Sequence, residues 1–415
     1  MGNKKRLLLY AHYYYPDVAS TGQILKELCE GMIDTFDITV ICVVPSYTGK
    51  IEDRYKEKKY YIENINGVKI IRVRVPEFSK ANKKSRILNL LTYFLRAIWA
   101  TFKSGKQDYI FSISQPPILG GILGVIGKYI KGAKFIYNIQ DFNPEQTMAV
   151  GYSKNKILIN VAMFLDKLSC RVSDKVIVVG RDMQDTLRKR FKGGNIPDNT
   201  FINNWIDEKK IYPLPSDNEK VLEFKRNYGL ENKIVIMYSG NIGLYYDLEN
   251  IIKVIGRFKD REDVVFAFIG DGTIKSKLVS YVNEKKINNI KFIPYQPKEE
   301  LNYSLNAGDI HWVVNAKGIK GVSVPSKLYG VMAAGKPILG VLESGSEARL
   351  IIEECGCGVC TDPEDYEKIY NQILVCINEI EQIKKIGILG KKYIDENIRK
   401  NISLQKYCEN ILSIK

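Results

Sequence analysis

Short apolar runs and helical patterns alternate along almost the whole chain. That alternation constrains the fold more than any other feature. Residues 6–11, 38–44, 68–75, 109–114, 134–139 and 175–179 read as six strands, with helical spacing between most of them. Residues 203–207 and the proline-bearing 212–216 then read as a linker. A second set of strands follows at 234–239, 264–269, 290–294, 310–314 and 337–341. Such alternation predicts doubly wound parallel sheets. With 415 residues, 45% of them hydrophobic, the chain is long enough for two such domains, each with its own core. The fold class predicted is α/β, two Rossmann-like domains facing each other across a cleft. Ligands in such sheets bind beyond the carboxyl ends of the strands. The domains predicted are residues 1–207 and 208–392.

Composition narrows the class further. Residues 1–205 hold 32 Lys+Arg against 18 Asp+Glu, whereas residues 206–415 hold 30 against 29. The basic excess belongs to the first half, so that half is expected to meet an anionic surface. No nucleic-acid-binding module or glycine–arginine repeat accompanies it, so anionic lipid fits better than nucleic acid. Eight scattered cysteines form no disulfide framework and point to a reducing cytoplasm. Cys355, Cys357 and Cys360 have metal-like spacing, but a closed zinc site wants four ligands, and no metal is expected. The two histidines, His12 and His311, fall within or beside predicted strands. The opening residues read as a first strand and not a signal peptide. No stretch reaches about 18 uninterrupted apolar residues, so no spanning helix is expected.

Residues 80–106 carry the densest basic and apolar mixture. Lys80, Lys83, Lys84 and Arg86 precede an apolar stretch, and Arg96, Lys103 and Lys106 interrupt or close it. Ile87, Leu90, Leu91, Phe94, Leu95, Ile98, Trp99 and Phe102 recur at helical spacing. This predicts a basic amphipathic helix lying in a lipid interface. The other reading is a helix whose apolar face packs on the first sheet. Residues 117–131, rich in glycine, read as a core helix.

Six loops could carry chemistry. In GVSVPSKLYGVMAAGKPIL, residues 321–339, Pro325 suits a first helical turn, Ser326 can cap it, and Gly335 can end it. A helix start bearing Lys327 is a ready phosphate site. Gly240-Asn241-Ile242-Gly243 follows a strand, and its amides can cradle a pyrophosphate. Gly270-Asp271-Gly272 is either a tight turn or a ligand loop. The loop Tyr13–Gln23 brings Ser20, Thr21 and Gly22 to a strand exit. Gln140-Asp141-Phe142-Asn143-Pro144-Glu145 puts two carboxylates at another strand exit, where Asn143 and Glu145 would otherwise simply start a helix. Pro294-Tyr295-Gln296-Pro297 is held rigid by its prolines.

The Pro-Ser-Lys-Leu-Tyr-Gly and Ala-Ala-Gly-Lys-Pro words resemble the donor-site helix of retaining family-four glycosyltransferases of the GT-B fold. Within them, the branch resembled is that of L-fucosamine transferases of surface-polysaccharide assembly. The resemblance implies transfer of a sugar, such as a deoxy N-acetylamino sugar, from a UDP-sugar to a lipid-linked (polyprenyl diphosphate) saccharide. It implies retention of configuration and no obligatory cofactor or metal. It places Ser20, Thr21 and Gly22 near the donor phosphates and the acceptor, and Asn204 at the interdomain crossing. Asp141 is then best placed to accept or orient the acceptor proton, with Glu145 beside it, and Tyr295 to stack on the base. Glu347 aligns with a family glutamate near the donor; its other reading is compensation of a helix dipole. A last helix, about residues 393–413, would return to the first domain. Two departures stand out. The family's paired glutamates fall here on Val322 and Gly330, and the Arg and Lys that follow its phosphate loop are replaced by Leu244, Tyr245, Tyr246 and Asp247. Lys327 is left as the cation for the leaving group. The rival readings are a nucleotide-sugar 2-epimerase on the same two-domain plan and a non-catalytic nucleotide-sugar-binding subunit.

Overall fold

The structure, a computed structural model, describes residues 4–17, 20–79, 82–151 and 155–414. The chain divides into two compact units. One comprises Met1–Met148, Ser153–Asn203 and Asn401–Lys415; the other comprises Ala149–Tyr152 and Asn204–Lys400.

The first unit is built from β1 (Lys5–Tyr10), α1 (Ser20–Met32), β2 (Phe36–Val43), β3 (Tyr60–Ile65), β4 (Val68–Val73), α2 (Lys83–Lys103), β5 (Tyr109–Ile113) and α3 (Leu119–Lys131). It continues with β6 (Lys134–Ile139), α4 (Glu145–Ala149), α5 (Lys156–Val172), β7 (Lys175–Val178), α6 (Arg181–Arg190) and β8 (Asn199–Phe201). The sheet order is β3-β4-β2-β1-β5-β6-β7-β8. Every pairing is parallel except β3 with β4, where Ile62 lies opposite Ile71. The central strand β1 is buried on both faces, with Leu7, Leu8 and Leu9 wholly inaccessible. Each such side chain contributes about 1.5–3 kcal/mol on leaving water, and two-faced burial explains why β1 is an unbroken apolar run.

The second unit holds α7 (Glu219–Tyr228), β9 (Ile234–Ser239), α8 (Leu248–Ile255), β10 (Val264–Ile269), α9 (Lys275–Glu284), β11 (Ile290–Ile293), α10 (Leu301–Ala307) and β12 (Ile310–Val314). After these come α11 (Lys327–Ala333), β13 (Ile338–Val341), α12 (Glu347–Cys355), β14 (Gly358–Thr361), α13 (Tyr366–Asn378) and α14 (Ile380–Asn397). Its sheet is parallel throughout, in the order β11-β10-β9-β12-β13-β14. Phe266, Phe268 and Trp312 centre the core on one face, and α11 packs into a second cluster with Ile394 and Ile398. The last helix, α15 (Lys400–Leu412), belongs to the first unit, where Tyr407 bonds Asn138 of β6 at 3.1 Å.

Three strands escaped the sequence reading: β3, β8 and β14. β3 and β8 are edge strands, and β3 adds an antiparallel pair to a sheet expected to be parallel. The expected helix over 393–413 is two helices. Ile394 and Ile398 are anchored in the second unit's core, so only the chain after Lys400 crosses back. The division also falls at Asn203 and not at residue 207, and residues 149–152 belong to the second unit. The helix of the 321–339 stretch begins at Lys327, two residues later than the Pro325 start expected, and Ser326 makes no capping bond.

Candidate active site

In each sheet one strand has its chain neighbours running off in opposite directions. Ligands of open α/β sheets gather at the carboxyl end of that switch point. In the second unit the switch lies between β9 and β12. The loop leaving β9 carries Gly240 to Gly243; the segment leaving β12 leads to Lys327. These meet, since a side chain built on Gly240 would reach the Lys327 stem at 3.6 Å. The Lys327 ammonium donates to the Tyr238 hydroxyl at 2.7 Å. It also lies 3.9 Å from the ring centroids of both Tyr238 and Tyr246. Tyr238 in turn donates to the Asn241 carbonyl at 2.6 Å, so its lone pair faces the lysine. Two aromatic faces thus clasp the cation. Burial pushes the Lys327 pKa well below the usual lysine value. A diphosphate beside it would reverse that shift, because an opposite charge favours the charged form.

The phosphate-cradle expectation is narrower in the structure. The Gly240 amide already donates to Ile269 and the Ile242 amide to Asp271. Gly270 and Gly272 serve packing between the loops. A Cβ on Gly270, at φ +137°, would meet the Gly240 carbonyl oxygen at 2.0 Å, and one on Gly272 would meet that of Ile242 at 2.1 Å. The Asp271 carboxylate accepts from the Gly272 amide of its own turn and is exposed. Asn241 and Ser326 are exposed, Gly243 is buried, and Tyr295 is 65% exposed after β11, open to a flat partner. Glu347 is buried at the start of α12. Asn204 is buried at the head of the second unit.

In the first unit the switch lies between β1 and β5. Asp141 follows the neighbouring β6 and bonds to Gln146 at 3.1 Å and Gln115 at 3.4 Å. Its amide and that of Gln140 both donate to the Ser114 hydroxyl, which fixes the turn. Burial raises the Asp141 pKa to about 6, and the two glutamine bonds only partly oppose it. A carboxylate so poised can take a proton near neutral pH. Glu145 is differently placed. Both its oxygens are held by Arg190, at 2.6 and 2.5 Å. Arg190 also pairs with buried Asp166, bonds the Asn143 carbonyl and stacks on Phe142 at 4.3 Å. Glu145 therefore braces the loop. Gly22 is buried within α1, its Cα side facing the Tyr13 carbonyl, and Thr21 is half-buried. The Ser20 side chain and residues 18–19 lie outside the described residues, as does Lys80.

Tyr238 and Tyr246, Arg190, and the glutamines on Asp141 were missed by sequence reasoning. The signal for Tyr246 was present as the place where relatives carry cations. The helix expected at residues 80–106 forms as α2. It seats Asn89, Tyr93, Ala97 and Ala100 inward and leaves Leu91 and Trp99 exposed, with Phe94 half-buried. Lys83, Lys84 and Arg86 are exposed at its start. Of the predicted apolar positions, Leu90, Phe94 and Ile98 are half-buried, whereas Ile87, Leu91, Leu95, Trp99 and Phe102 are exposed.

Residues 221–393 match the family described as Glycosyl transferases group 1. These residues include every second-unit candidate site residue named above except Asn204. A Pseudomonas aeruginosa protein provisionally named glycosyltransferase WbjE is 29% identical over 80% of this chain and 82% of its own. An Escherichia coli K12 protein, provisionally named colanic acid biosynthesis glycosyl transferase WcaI, is 23% identical over 98% and 99%. Among solved structures, sucrose-phosphate synthase of Thermosynechococcus elongatus superposes with TM-score 0.78 at 11% identity, over 99% of this chain and 100% of that one. Anabaena HepE, determined in complex with UDP and glucose, superposes with TM-score 0.71 at 14% identity, over 98% and 99%. These likenesses give the fold, two-unit GT-B. Among the described residues no helix is long and apolar enough to cross a membrane.

Proposed function

We propose that this protein is a group 1 glycosyltransferase that moves a deoxy N-acetylamino sugar from a UDP-sugar to a lipid-linked saccharide during surface-polysaccharide synthesis. The reading rests above all on one observation: Lys327, clasped by Tyr238 and Tyr246 beside the β9 loop at the switch point. In the transfer, the bond from the anomeric carbon to the diphosphate oxygen breaks and a bond to the acceptor oxygen forms, with configuration retained. Negative charge builds on the leaving diphosphate, where the Lys327 ammonium compensates it. The acceptor hydroxyl gives its proton to Asp141 or to the departing phosphate. Tyr295 stacks on the uracil. No metal is required, because Lys327 supplies the positive charge. The name of WcaI supports the polysaccharide setting, and the UDP held by HepE supports the nucleotide. The protein works on the inner face of the cytoplasmic membrane, against anionic lipid.

A thermal-shift panel with UDP, GDP, ADP and TDP tests the donor class. Stabilisation at a hundredfold the dissociation constant is about 2.7 kcal/mol. A rise with UDP alone is expected. No rise with any nucleotide at millimolar concentration would refute the reading and favour a degenerate site.

A further inference from the structure

The helical layer α2–α3–α5 is apolar where it should be polar. In α2, Leu88, Leu91, Leu95, Trp99 and Phe102 recur every three or four residues and are 48–64% exposed. α5 repeats the arrangement with Ile157, Val161 and Phe164, 50–77% exposed. α3 lies between and contacts both helices. The fully buried positions are Asn89, Tyr93, Ala97, Ala100 and Thr101 in α2 and Asp166, Ser169 and Cys170 in α5, small or hydrogen-bonding residues instead of leucines. Large apolar side chains thus face outward on both helices. Exposed apolar rows of this kind mark an interaction site.

Charge says what covers it. The three helices carry five, two and three lysines or arginines, and a single carboxylate. That carboxylate, Asp166, is buried against Arg190. The exposed residues of these helices thus include apolar and basic side chains and no acid, which complements an anionic lipid headgroup layer above an apolar interior; Lys128 of α3 is paired with Asp174 beyond α5.

We propose that α2 and α5 are two parallel contacts of one docking face, which lays the first unit on an anionic bilayer surface. Its purpose rests on the lipid-linked acceptor proposed above, whereas its observations do not. Two contacts fix an orientation that one helix alone leaves free to roll. The second contact also reaches the chemistry: Asp166 of α5 is tied through Arg190 to Glu145, and so to the loop bearing Asp141.

The test uses the full chain with vesicles of phosphatidylcholine, with and without about 30% phosphatidylglycerol. Sedimentation should show at least about tenfold stronger binding to the anionic vesicles, weakened by salt. The pair Ile157→Ser, Phe164→Ser should weaken it by about tenfold, as should Leu91→Ser, Trp99→Ser. These side chains are exposed, and an unchanged melting temperature checks that each variant folds. Undiminished binding by the α5 pair would overturn the proposal. So would equal binding to neutral vesicles, or a lipid-free dimer that the α5 pair splits, which would give the face to a second copy. Vesicle binding without a UDP shift would refute the proposed function and leave the docking face standing.

Discussion

At the scale of single residues, the protonation of Lys327 depends on what binds beside it. Lys327→Ala should lower transfer by about 10²-fold or more, the scale for losing a charge-stabilising group; unchanged turnover would remove Lys327 from the mechanism. Tyr246→Phe keeps a ring over the ammonium and should retain most activity, whereas Tyr246→Leu should not. Asp141 sets the pH dependence. Its pKa is raised to about 6, so the proton-accepting form appears as pH rises through 6, and transfer should rise with it. Asp141→Asn should flatten that limb; an unaltered profile would assign the proton to the phosphate. Residue types together with the family resemblance singled out Lys327 and Asp141, because a lysine at a helix start and a carboxylate at a strand exit are poor core material. They could not foretell Glu145, whose partner Arg190 lies on another helix.

At the scale of elements, loops and helices are held by close approach. Gly270 sits at φ +137° with the Gly240 carbonyl against it. Gly270→Ala should cost the second unit about 3 kcal/mol or more, read by urea unfolding. α3 meets β6 through Gly124, where a Cβ would come within 2.1 Å of the Phe135 ring. Arg190 joins α6, α5 and the loop before α4. Arg190→Ala would leave two partly or wholly buried carboxylates uncompensated, at about 3–5 kcal/mol, and a loss under about 1 kcal/mol would mean the cluster is solvated. The principal strands were legible because apolar runs bounded by polar turns announce them. β3 and β14 were not, since β3, a half-exposed edge strand, lacks a continuous run and β14 lies in a cysteine cluster that drew a different reading. The existence of α2 was legible from its period; the face it buries was not, since Tyr93 and Asn89 are inward for their hydrogen bonds to Ala11 and Pro76.

Across the whole molecule, each unit buries one neutral histidine. Burial lowers the pKa of His12 to about 4 and of His311 to about 3, from an ordinary 6.5. Unfolding lets both bind protons at higher pH than the native state does. The stability they contribute is therefore complete above about pH 6.5 and is lost as pH falls towards 4. Asp141 works in the opposite sense, losing stability as pH rises towards 6. Burial raises Asp17 and Asp166 in the same sense as Asp141, so the histidine share is read by difference: His311→Gln should reduce the loss of melting temperature between about pH 6.5 and 4, and an unchanged profile would show that its ring is not held neutral. The two-unit plan was legible from the repeated alternation of strands and helices. The crossing points were not, since they depend on which core holds Ile394, Ile398 and Tyr407. That last placement governs the order of assembly on the ribosome. The first unit is interrupted after Asn203 and resumes only at Asn401. At about 5–20 residues per second, its sheet waits roughly 10–40 s for the helix that covers Asn138. The half made first is the half finished last, and during that interval the nascent chain presents an uncovered sheet that chaperones must shield.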